Sequence, residues 1–302
     1  MAKSISVALG TLSVYMVYSL SLKIWNHRSA IKAAWLTALF PSLILYSSIT
    51  LREAYIVFFL IFSLTGIVKF IKEKSLVSLL QVIVGFYILS LFHGPAALGG
   101  LIFLFYLMLA SIKKQLIKLK YFKINISSLL FIIILALPFI AYFNGNFKIP
   151  YLGGYNELID SDRFLLKANI GFKDVASYPS WLVINNNYEI FTKGIIKFFY
   201  FLYSPFIWDI KTTKHIIGLF DGLLYFVLTI YVFKNWHDIW TNPITRIFIL
   251  IFISYFIVYG FGLGNFGTVI RHRSKFVIIL IILAAPKLHK FIFSAKKKIY
   301  KR

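Results

Sequence analysis

Residues 75–112 read SLVSLLQVIVGFYILSLFHGPAALGGLIFLFYLMLASI, without one Asp, Glu, Lys or Arg. That is too long for a single membrane helix, since about 20 apolar residues cross the hydrocarbon core. Gly94 and Pro95 supply a turn in its middle. The stretch therefore predicts two spans, 75–92 and 94–112, joined at His93-Gly94-Pro95. Working outward, further uncharged runs cover 4–22, 33–51, 124–147 and 247–270. Residues 54–71 add a span with Lys69 near its end, and 215–233 one interrupted only by Asp221. A last run, 276–294, holds Lys287 and Lys290, whose long stems can carry their charges to the headgroups. The expected fold is all-α: a polytopic transmembrane helix bundle of about nine spans.

Composition agrees. Of 302 residues, 60% are apolar and 14% charged, and the mean hydropathy is +0.81. Soluble domains carry about 25% charged residues, and disordered chains lack the apolar content altogether. The formal charge of +23 would suggest nucleic acid in a soluble chain. Here the basic residues lie between apolar runs, the pattern of cytoplasmic loops in membrane proteins, so no nucleic-acid partner is expected. The chain has no Cys, which excludes disulfides, thiolate metal sites and Cys nucleophiles. The run after Lys3 is longer than a signal-peptide core and reads as a retained helix.

The basic connections set the orientation. They are 23–32, 69–74, 113–123 with five Lys, 234–246, and the tail with Lys296, Lys297, Lys298, Lys301 and Arg302. Nine crossings put all of them on one side, the cytoplasm by the positive-inside rule. The same parity places Met1 outside, against the preference of Lys3. A miscounted span or an N-terminally shortened chain would reconcile the two. Three regions follow: N-terminal transmembrane helices over 1–143, a long outer loop over 144–214, and C-terminal transmembrane helices with a basic tail over 215–302. The loop ends in an aromatic stretch, 193–210, that reads as an interfacial or re-entering helix.

Polar chemistry collects on the outer side, with seven of the ten acids. Arg52-Glu53 is either a helix terminus with a local ion pair or a carboxylate and guanidinium facing a cavity. There Glu53 would act as a general base or orient a hydroxyl. His93 is a turn residue or a proton-transfer group. Asp209 is a cap or ion-pair partner of Lys211 and Lys214, or a catalytic acid. Asp221 sits inside a span, where an acid faces protein or a cavity. Gly264-Asn265-Phe266-Gly267-Thr268, then Arg271-His272-Arg273 and Lys275, offers backbone N–H groups and guanidinium forks that suit phosphate. Lipid headgroups or acids of the long loop are the bland alternative. No Walker A loop, dinucleotide fingerprint or His-Glu-x-x-His occurs, so no metal site and no cofactor are expected.

Four strings carry a resemblance: AAWLTALFPSLILYSSITLREAYIVFF (33–59), YPSWL (178–182), SPFIWDI (204–210) and GNFGTVIRHRSKF (264–276). Together they resemble the polytopic GT-C glycosyltransferases and repeat-unit polymerases of bacterial O-antigen and capsule assembly. The resemblance implies a polyprenyl-phosphate- or diphosphate-linked sugar, used at the outer face of the bacterial inner membrane, alongside other polysaccharide assembly proteins. It implies Glu53, or a His in the polymerase branch, as the group assisting the acceptor, and Arg271 and Arg273 as holders of the lipid-borne phosphate. With the reading of the residues, the catalytic candidates are Glu53, His93 and Asp209, and the phosphate candidates Arg52, Arg271, His272 and Arg273. Such enzymes carry an earlier helix and an acidic first outer loop, which this chain does not show. A flippase for lipid-linked sugars and a non-catalytic assembly protein remain as other classes.

Overall fold

The computed structural model describes residues 2–49, 52–121, 125–146, 148, 153–156, 160–172 and 176–288. In chain order the helices are α1 (Ala2–Ile24), α2 (His27–Leu39), α3 (Pro41–Ser48), α4 (Glu53–Glu73), α5 (Leu76–Phe92), α6 (Ala97–Leu119) and α7 (Ile126–Phe143). They continue with α8 (Ser161–Ala168), α9 (Glu189–Tyr203), α10 (Thr213–Lys234), α11 (Trp236–Thr241), α12 (Pro243–Gly262), α13 (Phe266–Ser274) and α14 (Val277–Ala284). No strand occurs among the described residues.

Among the described residues six helices are long and apolar enough to cross a membrane: Lys3–Ile24, Glu53–Glu73, Gly94–Leu119, Ile126–Phe143, His215–Lys234 and Pro243–Gly262. The protein is thus built as a multi-pass helical membrane bundle. The expected nine runs are distributed differently. The run 33–51 is broken at Phe40, where the chain leaves the helix and Pro41 starts α3; α2 and α3 meet at a bend of 56° and make a seventh span only if taken together. α5 has 17 residues, one turn short of a comfortable crossing. The run expected over 247–270 starts earlier, because Asn242 caps the helix and Pro243 occupies its first turn, and it ends at Gly262.

Of the last expected span, 276–294, and the basic tail beyond it, residues 289–302 lie outside the described residues. The described part of the span yields α14, 8 residues long, every one of them buried. A helix apolar on all sides belongs in an interior or a membrane; here it fills the interior, packed by α10, α12, α2 and α1. Its end is set by Pro286. The carbonyl of Ile282 would bond the N–H of residue 286, and proline has none. The Trp25 indole N–H donates to Ile282 O instead, at 3.0 Å. The next carbonyl, Leu283 O, accepts from Asn235 Nδ2 at 2.9 Å, and Lys32 Nζ donates to Leu288 O at 2.6 Å. Lys72 also donates to Lys23 O, at 2.5 Å, and Lys287 pairs with Asp238 at 3.2 Å. The basic connections 23–32, 69–74 and 234–246 therefore gather at the end of the bundle where α14 stops.

The opposite end holds the polar sites. α9 runs antiparallel along α12: Phe198 packs on Phe256 and Phe261, and Phe201 on Phe256 and Tyr259. Phe191, Ile195 and Phe199, at i, i+4 spacing, leave an exposed apolar stripe, while Gly194, Lys197 and Phe201 face inward. Tyr203 ends the helix against Gly222, where a Cβ would lie 2.2 Å from Tyr203 O. Gly222 is about 14 Å along α10 from Thr213 at 1.5 Å per residue. α9 thus ends within the bundle, beside the middle of α10, and the chain returns through 204–212.

The cap on α14 predicts a thermodynamic coupling. Trp25→Phe keeps the ring but orphans Ile282 O, which should cost about 1–3 kcal/mol. In a Pro286→Ala background, residue 286 recovers an N–H and the same change should cost clearly less. Equilibrium unfolding of the four proteins in detergent checks this; equal costs in both backgrounds would refute the capping role.

Candidate functional site

α4 begins at Glu53, and the first turn of a helix favours an acid. The Glu53 side chain is 1% exposed. Arg271, near the end of α13, donates its Nε to Glu53 Oε1 at 2.5 Å. Lys275, one helical turn further on, brings Nζ to 3.8 Å from the same oxygen. Residues i and i+4 share a helix face, so both cations address one carboxylate. The other oxygen, Glu53 Oε2, is buried without a hydrogen-bond partner among the described residues. Arg271 donates through Nε alone, and with 35% of its side chain exposed its two terminal nitrogens remain available to a ligand.

His93 completes the cluster from the end of α5. Its Nε2 bonds the Tyr259 hydroxyl of α12 and lies 3.4 Å from Lys275 Nζ. The His93 ring stacks on Tyr259 and lies 5.0 Å, centre to centre, from His272. Burial first, then the charges of Lys275, Arg52 and Arg271, lowers the pKa of His93. His272 is lowered by burial and by Lys275, among others. Both rings are therefore neutral imidazoles. Lys275 is 0% exposed. Burial pushes its ammonium down to about 7, with Glu53 pulling it back up and Arg52 and Arg271 opposing.

The structure thus brings Glu53, His93, Arg271 and His272 together, with the exposed Arg52 close enough to act on them electrostatically. It does not bring Arg273 or Asp209 there. Arg273 points to the other side of α13 and is 1% exposed. Its Nε donates to Asp221 at 3.0 Å; Nη1 donates to Leu202 O at 3.0 Å and Ser204 O at 2.6 Å; Nη2 donates to Gly218 O at 3.2 Å. Its guanidinium also covers the Tyr225 ring. With its donors committed to the protein, Arg273 pins the end of α9 to α10, and the expected phosphate grip narrows to Arg271. Asp209 is local too: it accepts from Phe206 N–H at 3.0 Å, and its own carbonyl meets His215 Nδ1 at 3.0 Å. Burial raises its pKa, against the pull of the Phe206 N–H.

The glycine loop also differs from expectation. Tyr178 N–H donates to Gly264 O at 2.7 Å, and Phe266 N–H to Ala176 O at 2.9 Å. A Cβ at Gly264 would sit 2.5 Å from the Phe172 ring. Gly264 thus permits close packing of the long segment on the bundle, and Phe266 N–H is already taken by that segment. Lys275, expected beside the arginines, joins the cluster, and Tyr259 is the site member that the sequence reading left out. Tyr255 and Tyr259 form an i, i+4 pair of polar-tipped rings in an apolar run. No group of three or more potential metal ligands occurs among the described residues. No protein-family model, curated protein or solved structure matches this chain.

Two stability predictions separate the two arginines and expose Lys275. Arg273→Met leaves Asp221 buried without its partner and should cost about 3–5 kcal/mol, whereas Arg271→Met should cost much less; unfolding in detergent measures both. Unfolded, Lys275 keeps its proton up to 10.5; folded, it releases it near 7. Over that window the unfolded chain binds more protons, so stability rises with pH, while the burial penalty is complete below 7. Lys275→Met should flatten the rise in melting midpoint between pH 7 and 10. A wild-type profile that runs parallel to the variant's would show that Lys275 titrates normally.

Proposed function

We propose that this chain is a membrane glycosyltransferase or repeat-unit polymerase. Its substrates would be polyprenyl-phosphate-linked sugars of bacterial surface polysaccharide synthesis, used at the outer face of the cytoplasmic membrane, with the basic end of the bundle in the cytoplasm. One observation carries the reading: a buried carboxylate with one oxygen held by a guanidinium and the other unpartnered. Beside it, the same guanidinium keeps its terminal nitrogens open. Sugar transfer from a lipid phosphate needs that pairing. The acceptor oxygen attacks the anomeric carbon and passes its proton to Glu53 Oε2. The bond from that carbon to the phosphate oxygen breaks, and its electron pair stays on the phosphate, which Arg271 receives. Guanidinium forks match phosphate oxygens, and donors aimed at developing charge are the largest single contribution in many such sites. Arg52 adds positive charge at the same mouth. Asp209 and Arg273 take no part beyond shaping the segments around it.

A flippase for the same lipid-linked sugars is the second reading, favoured by the broken α2–α3 pair, since discontinuous helices flank the sites of many transporters. It moves the sugar lipid without forming a bond, so one assay separates the two. In proteoliposomes supplied with a polyprenyl-diphosphate-linked oligosaccharide, wild type should extend or transfer the sugar. Glu53→Gln and Arg271→Ala should each lower the rate by about 10²–10³, with Arg271→Lys restoring only part of it. Arg163→Ala, at an exposed charge away from the cluster, should leave the rate unchanged. Near-normal product from the Glu53 and Arg271 double variant, at equal folded protein, would overturn the assignment.

A further inference from the structure

A cavity of about 510 Å³ lies between α1, α2, α3 and α4, with Glu53 and Ser274 in its wall. That volume falls within the range of about 300–1,000 Å³ usual for small-molecule sites. The bend at Phe40-Pro41 contributes to this space, because Leu43, Tyr46 and Ser47 of α3 form one side of it. The chemistry of the wall is specific. Eight hydroxyl-bearing residues line it, Ser13, Thr37, Tyr46 and Ser274 among them, beside aliphatic side chains, and Glu53 is the one charged residue among the described lining, which includes no Lys or Arg. Two of the lining residues carry an oxygen, Ser13 Oγ and Glu53 Oε2, that is buried and without a hydrogen-bond partner among the described residues. Both side chains are at most 2% exposed.

These facts discriminate between possible occupants. An alkyl or prenyl chain would leave both oxygens unpaired, and a buried acceptor without a donor is costly, most of all a carboxylate. A phosphate would meet the charge of Glu53 with no cation inside the cavity to offset it. An uncharged polyol supplies hydroxyl donors to both oxygens and sets its C–H faces against the aliphatic wall.

We propose that this cavity binds an uncharged sugar ring, with Glu53 Oε2 accepting from one of its hydroxyls, while the anionic part of the substrate stays at Arg271 on the far side of the Glu53–Arg271 ion pair. The role of that sugar in transfer rests on the proposed function; its binding does not. The ion pair then divides the site into a neutral chamber and an anion mouth, and one carboxylate faces both.

The chain has no Cys, so Ser13→Cys and Thr37→Cys each place a single thiol in the cavity wall. In lipid nanodiscs, both thiols should react with a small neutral methanethiosulfonate reagent. Octyl β-glucoside below its micellar concentration should slow that reaction several-fold, whereas n-octanol, the same chain without the sugar, should not. Ala38→Phe, which fills the cavity from α2, should abolish the protection. Equal protection by octanol would make this an apolar-chain site and overturn the proposal. So would failure of octyl β-glucoside to protect, or thiols that never react in folded protein at either position. If transfer survives the Glu53 and Arg271 substitutions while octyl β-glucoside still protects, the transferase reading falls and the sugar site stands. The reverse result removes the sugar site alone.

Discussion

A helix that stops inside an apolar bundle leaves carbonyls with no water to meet them, and each must find a donor or the stop is untenable. This constraint organises the protein. α9 ends within the bundle, and Arg273 takes the carbonyls of Leu202 and Ser204 while its charge is met by Asp221. α14 ends at Pro286, and Trp25 and Asn235 take the carbonyls it strands. Both answers bear on one stretch, α13 with α14, which is held at its start by α9 and α10 and at its finish by the α1–α2 connection. The candidate site rides on that stretch. Successive helical residues are about 100° apart, so Arg271 and Lys275 face Glu53 while Arg273, midway between them, faces the other way. One short helix therefore supplies both the fixing residue and the site residues, and neither set can shift without the other.

Much of this was legible in the sequence, for a physical reason. Apolar runs and their charged breaks report which segments avoid water, so the helical membrane bundle and the common end of the connections 23–32, 69–74 and 234–246 followed directly. Hydropathy does not tell lipid from protein, however. Residues 276–285 look like the start of another span and are instead the most enclosed part of the interior. The run 33–51 was read as one span, and the break at Pro41 takes its angle from what α3 packs against. Among site residues, Glu53, His93, Arg271 and His272 stood out because polar groups at the ends of apolar runs must go somewhere wet or paired. Arg273 was grouped with Arg271 by adjacency, although a spacing of two turns it to the opposite face. Asp209 was judged by its type, and its Asx-like local bonding to Phe206 N–H is the commoner use of an acid after a proline turn. The loop 264–268 was taken as a ligand cradle, because sequence does not show that 176–178 already bonds Gly264 O and Phe266 N–H.

Electrostatics links the two halves of the site. His93 and His272 are held neutral, so Glu53 is the single anion facing Arg271, the nearby Arg52 and Lys275. The state of Lys275 then sets the net charge. An anion at Arg271 favours the ammonium form of Lys275, and by linkage the protonated lysine strengthens the hold on the anion by the same factor. In the proposed transfer a leaving phosphate would gain charge as its bond to carbon breaks, so this coupling would be greatest at that moment, when stabilisation counts toward rate and not merely toward binding. The same carboxylate would have to stay open to the acceptor hydroxyl, and the arrangement serves both by distance. Arg271 bonds one oxygen directly, Lys275 stands off at 3.8 Å, and Oε2 is left to whatever hydroxyl arrives.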